Sequence, residues 1–96
     1  MRKRCFVYIL TNKNHTVLYT GVTSNLPQRM ERHKTGFYKS ASSHSYKVTM
    51  LVYFKEYDSI VDAIAREKQI KAGSRQKKLY MIHGLNPEWK DLTEGL

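Results

Sequence analysis

Cys5-Phe6-Val7-Tyr8-Ile9-Leu10 and Val17-Leu18-Tyr19-Thr20-Gly21-Val22, with the polar Asn12-Lys13-Asn14-His15 between them, decide how this chain folds. The flanking runs are rich in β-branched and aromatic residues and the gap is turn material, so the stretch is expected to form a β-hairpin. A turn centred between Lys13 and Asn14 sets Tyr8 directly opposite Tyr19, with both phenols on one face of the sheet. A slip of one residue would send one ring to the other side. Gly21, two residues beyond Tyr19, falls on the same face, where the lack of a side chain lets a ligand or another backbone come close.

Downstream, Ser24 or Asn25 can cap a helix with Pro27 in its first turn, ending near Gly36. Leu26, Met30, His33 and Phe37 form its buried stripe, and Arg29 lies four residues before His33 at the edge of that stripe. Taken alone, these two residues fit either a snorkelling cation beside a satisfied core histidine or a functional pair. The segment from Phe37 to Lys47 is read as a surface loop in which Tyr38, Lys39, Tyr46 and Lys47 combine rings and cations, a composition suited to nucleic acid. Val48 to Phe54 is nearly continuous in apolar character, which predicts a strand buried on both faces in a central or well-covered place.

Asp58 or Ser59 opens a second helix that runs to about Lys71 or Ala72, with Ile60, Ala63, Ile64 and Ile70 as its apolar stripe. Glu67 falls inside that stripe. An inward carboxylate needs a partner, so Glu67 is either ion-paired, with Arg29 as one choice, or a metal ligand. Ser74 can cap a third helix over Arg75 to His83, closed by Gly84, with Leu79 and Ile82 on its buried side. Lys71, Arg75, Lys77 and Lys78 cluster at the joint between these helices as the densest basic patch in the sequence. Trp89 in Asn86-Pro87-Glu88-Trp89 packs back on the domain, and the last residues are expected to fray.

Ninety-six residues allow one small domain, spanning 1–96. The balance of 17 Lys and Arg against 8 Asp and Glu gives a formal net charge of +9, which points to a polyanionic partner. Nucleic acid is favoured over an anionic membrane because the cations are spread over several elements rather than along one amphipathic helix. A single cysteine, Cys5, excludes an internal disulfide and a thiolate zinc cluster and suits a reducing, cytoplasmic setting. No apolar run approaches the roughly 20 residues of a membrane-spanning helix, so a soluble protein is expected.

Together these pieces resemble the GIY-YIG nuclease superfamily, and especially its small stand-alone bacterial branch. Phe6-Val7-Tyr8 occupies the place of the first motif and Tyr19-Thr20-Gly21 that of the second. Arg29, His33 and Glu67 follow in matching order and spacing, and Asn86 looks like the family's C-terminal asparagine. Phe6 and Thr20 depart from the motifs, replacing a glycine and an isoleucine. The resemblance implies an α+β fold, a three-stranded antiparallel sheet flanked by helices, carrying a phosphodiesterase site with one metal ion.

Residue chemistry is compatible with that implication. Glu67 is the one carboxylate on an inward helical face, which suits one Mg²⁺ or Mn²⁺ held by a carboxylate, waters and phosphate. Arg29 would neutralise charge on the phosphate; Tyr8 or Tyr19 would orient or deprotonate water, and His33 would hold a tyrosine or relay its proton. Gly21, Lys39, Lys71, Arg75, Lys77, Lys78 and Asn86 are the expected substrate contacts. The resulting expectation is an endonuclease acting on DNA, structure-specifically or nonspecifically, as a monomer or weak homodimer. Its alternatives are a catalytically weak or inactive nucleic-acid binding module on the same fold, and a structural or protein-interaction domain.

Overall fold

A computed structural model describes residues 4–34 and 48–96. Three antiparallel strands, β1 (Cys5–Thr11), β2 (Leu18–Thr23) and β3 (Met50–Tyr57), form one sheet in the order β2-β1-β3. The helices are α1 (Leu26–Lys34), α2 (Ile60–Ala72) and α3 (Arg75–Leu85), followed by a short 3-10 turn at Leu92–Gly95. The fold is thus α+β, with helices on both faces of the sheet.

The first strand, not the third, is central. β1 alternates its side chains between two interiors. Cys5, Val7 and Ile9 pack with Val52, Ala63, Ile70 and Ile82 beneath α2 and α3. Tyr8 and Leu10 pack with Leu26, Met30, Val48 and Leu51 beneath α1. β3 is an edge strand whose neighbouring residues Leu51 and Val52 are buried on opposite faces, so its apolar run reflects cover from both sides rather than a central position.

A bulge in β3 sharpens this arrangement. Ile9 pairs with Tyr53 and Leu10 with Leu51, leaving Val52 outside the ladder. Val52 and Tyr53 consequently both face α2 and α3. The carbonyl of Val52 accepts a hydrogen bond from Asn86 Nδ2 at 3.2 Å, so the irregular backbone is satisfied by a side chain 34 residues away.

The hairpin register also differs from the expected one. Tyr8 stands opposite Gly21, and Tyr19 opposite Leu10, because the connection is centred one residue later. Asn12 builds that connection: its Oδ1 accepts from the amides of Thr16 and Val17, while its backbone carbonyl accepts from His15 N. His15 takes a left-handed φ of 57°. The shift moves each pairing by two residues, an even step, so both phenols and Gly21 keep a common face.

Asn25 caps α1 through Gln28 N, Ser59 caps α2 through Asp62 N, and Ser74 caps α3 through Lys77 N. In α1, Leu26, Met30 and His33 are buried as expected; Gly36 and Phe37 lie outside the described residues. In α2, Ala63 and Ile70 are buried but Ile60 is 53% exposed, since it starts the helix beyond the sheet. α3 runs through Gly84 and ends at Asn86, whose amide donates to Ile82 O. Near the chain end, Leu92 packs with the Tyr8 cluster, and Asp91 accepts from Leu51 N, Thr93 and Lys34 Nζ. No helix among the described residues is long and apolar enough to cross a membrane.

Candidate active site

Three elements bring the rings together. Tyr8 comes from the centre of the sheet, Tyr19 from the edge strand β2, and His33 from the last turn of α1. The buried His33 ring meets Tyr8 edge-on at 6.3 Å between centroids and Tyr19 edge-on at 5.5 Å. Four residues earlier on the same helix, Arg29 is half-buried at the margin of this group. Burial first, and the Arg29 charge second, hold the His33 pKa below 6.5. Both effects favour the neutral imidazole over the imidazolium.

Gly21 has a different use from the one expected. A Cβ added there would stand 2.5 Å from Tyr8 Oη and 2.6 Å from Cζ, so the space beside the glycine is taken by the Tyr8 ring. The close approach comes from within the chain rather than from a ligand. Tyr8 is fully buried in this position, whereas Tyr19 is only partly covered.

Glu67 arrives from the other direction. It shares the sheet-facing side of α2 with Ala63 and Ile70, but α2 covers the sheet face opposite the two phenols and lies along β1 and β2. Its side chain is 15% exposed, and its carboxylate pairs with Lys71 Nζ at 3.5 Å. An ion pair with Arg29 is not formed. Of the five candidate catalytic residues, Tyr8, Tyr19, Arg29 and His33 lie on the α1 side of the sheet and Glu67 on the α2 side.

The expected substrate contacts divide as well. Asn86 is buried, with its amide nitrogen donating to Val52 O and Lys90 O and its oxygen accepting from Lys90 N. It closes the bulge and the turn after α3, which engages both of its N–H donors in the fold. Arg75 donates to the carbonyls of His15 at 2.9 Å and Thr16 at 3.2 Å, which fastens α3 to the hairpin connection. Trp89 adds to the same joint, stacked on His15 at 4.5 Å and edge-on to His83 at 5.8 Å. Lys71 is engaged with Glu67, while Lys77 and Lys78 line an open cleft between α2 and α3. Lys39 and the loop from Phe37 to Lys47 lie outside the described residues.

Asp91 is a polar site that sequence reasoning missed. Burial alone would raise its pKa, but hydrogen bonds from Thr93, Leu51 N and Lys34 outweigh that and hold it below 3.8. Its role depends on β3 and α1, so no local pattern marks it.

A hard divalent cation fits the donor set in one way. Among the described residues no three His, Cys, Asp or Glu side chains gather into a cage. Glu67, a mostly covered carboxylate on a sheet-facing helix side, suits an ion that keeps most of its waters and takes one protein oxygen.

Comparison with known proteins gives a consistent result. A family model described as the GIY-YIG catalytic domain matches residues 4–80. A UPF0213 protein of Syntrophus aciditrophicus is 40% identical over 83 residues, covering 86% of this chain and 93% of the relative. One of Staphylococcus haemolyticus is 40% identical over 78 residues, covering 80% and 92% respectively. The solution NMR structure of a UPF0213 protein from Bacillus halodurans matches over 95% of both chains, with 27% identity and a TM-score of 0.56.

Proposed function

This chain belongs to the GIY-YIG family, and we propose that it is a divalent-metal-dependent endonuclease that hydrolyses DNA phosphodiester bonds. The observation that carries the reading is the contact of one buried imidazole with two phenols, beside an arginine. Packing alone would accept phenylalanine at both tyrosines; a cluster of proton-carrying groups next to a fixed cation suits phosphoryl transfer.

We place the scissile phosphate over the outer edge of β2, where the two sheet faces meet and where α2 also lies. Arg29 would bind a phosphate oxygen and neutralise the charge that grows on it. Tyr19, the more accessible phenol, would orient and deprotonate the attacking water, passing its proton to neutral His33. Tyr8, seated against Gly21, would keep the His33 ring in place. Glu67 would hold one Mg²⁺ or Mn²⁺, exchanging its Lys71 partner for the ion; when bound, such an ion polarises the phosphate and stabilises the leaving oxygen. The net charge of +9 supports a DNA partner.

The test is nicking of supercoiled and branched DNA with Mg²⁺, Mn²⁺ or chelator, beside thermal melting of each variant. Arg29→Ala should lose about 10²- to 10³-fold in rate. Glu67→Gln should abolish metal-dependent cleavage, and Tyr19→Phe should lose more than Tyr8→Phe, while all melt as cooperative folds. Cleavage at full rate by Glu67→Gln would remove that residue from the mechanism. Salt-sensitive DNA binding without cleavage of any substrate by the wild-type protein would leave a binding module instead.

A further inference from the structure

The helix pair on the aliphatic face carries a second feature. Between α2 and α3 lies a cleft of about 390 Å³, within the range of ligand pockets. Ile70 and Met81 supply apolar walls, and Gly73 at the joint contributes only backbone. Arg66, Lys77 and Lys78 supply cations, and no acidic residue lines the cleft. Tyr80, also in its lining, is 81% exposed.

Each part has a counterpart in an unpaired nucleotide. An apolar hollow beside an exposed phenol ring accepts the flat face of a base, and three cations around it accept the phosphate. A base paired in a duplex is already stacked on its neighbours and presents only an edge. We propose that this cleft is a second nucleic-acid site, which takes an unpaired nucleotide with the base against Tyr80 and the phosphate at Lys77 and Lys78.

This inference rests on the nuclease reading for its purpose and deepens it, since it names the substrate class. The cleft and the phenols lie on opposite sides of the sheet. A straight duplex touches one side; a strand that leaves a duplex can pass around the edge of β2 and reach the other. Substrates with a single-stranded arm beside the cut would then be held at both places.

The experiment measures binding in chelator, so that cleavage is not required. Fluorescence anisotropy is read with a labelled oligothymidylate of ten nucleotides, with a labelled blunt duplex, and with inorganic polyphosphate as a competitor lacking bases. Tyr80→Ala should weaken oligothymidylate binding by about 5- to 100-fold, the scale of losing a stacked base. Tyr80→Phe should bind like wild type, and neither change should alter duplex affinity or polyphosphate competition. The double variant Lys77→Ala/Lys78→Ala should weaken the oligonucleotide and flatten its salt dependence. Oligothymidylate binding that is undetectable, or unchanged in Tyr80→Ala, overturns the proposal, as does an equal loss for the duplex. A protein that binds oligothymidylate through Tyr80 yet cuts nothing would refute the nuclease reading and keep the cleft, whereas the converse pattern would do the opposite.

Discussion

The two faces of the sheet share a central strand but are built to different tolerances. On the α2 and α3 side, β1 presents Cys5, Val7 and Ile9 to aliphatic neighbours, and the resulting interior is held by nondirectional burial. On the α1 side the same strand presents Tyr8 and Leu10, and there the packing depends on rings meeting edge-on over a glycine that has no room to grow. The pleat of one strand thus separates an aliphatic interior from a ring cluster, and a residue's parity in β1 tells which of the two it faces.

The largest effect expected from breaking this comparison lies on the aliphatic side. Ile9→Ala removes a fully buried side chain and should cost about 2–5 kcal/mol in urea unfolding. On the ring side, Gly21→Ala inserts a methyl group where the Tyr8 phenol stands and should cost about 1–3 kcal/mol. Tyr8→Phe should not rescue it, because Cζ remains 2.6 Å from the new carbon; Tyr8→Leu should recover part of the loss in a double-mutant cycle. A neutral Gly21→Ala would show that the ring face is as tolerant as the other.

The smallest effect is a pH dependence that belongs to the ring side alone. The folded protein resists protonating His33, whereas the unfolded chain takes a proton near 6.5. Stability should therefore fall as the pH drops through about 6.5 and level off below the folded pKa, and His33→Gln should remove that segment of the curve. Asp91 acts in a separate, lower window. Its pKa is depressed on folding, so its contribution is present above 3.8 and lost as the pH falls through the folded value.

Local patterns carried much of this architecture. The serine caps, the α1 stripe and the common face of Tyr8, Tyr19 and Gly21 follow from spacing, and the last survived a wrong register because the error was even. What sequence could not carry depends on distant partners. The bulge at Val52 is defined only once β1 is beside β3, and Asn86 is drawn to it across 34 residues. Arg75 reaches 60 residues back to His15 O, so a basic cluster that looked free for phosphate is partly spent on the fold. Glu67 was correctly read as facing inward, but periodicity says nothing of which sheet face a helix will cover.

The clasp made by Asp91 has a consequence for the order of events during synthesis. Residues 5–23 can pair as a hairpin soon after they emerge, but a two-stranded ribbon is marginal in water. Asp91 ties the end of α1 to β3 when it meets Lys34, 57 residues back, and Leu51, 40 residues back. Long loops of that kind close late. A nascent chain therefore carries both tyrosines well before it carries the lock on the helix that bears Arg29 and His33, and a chain cut short of Asp91 has the phenols without that lock.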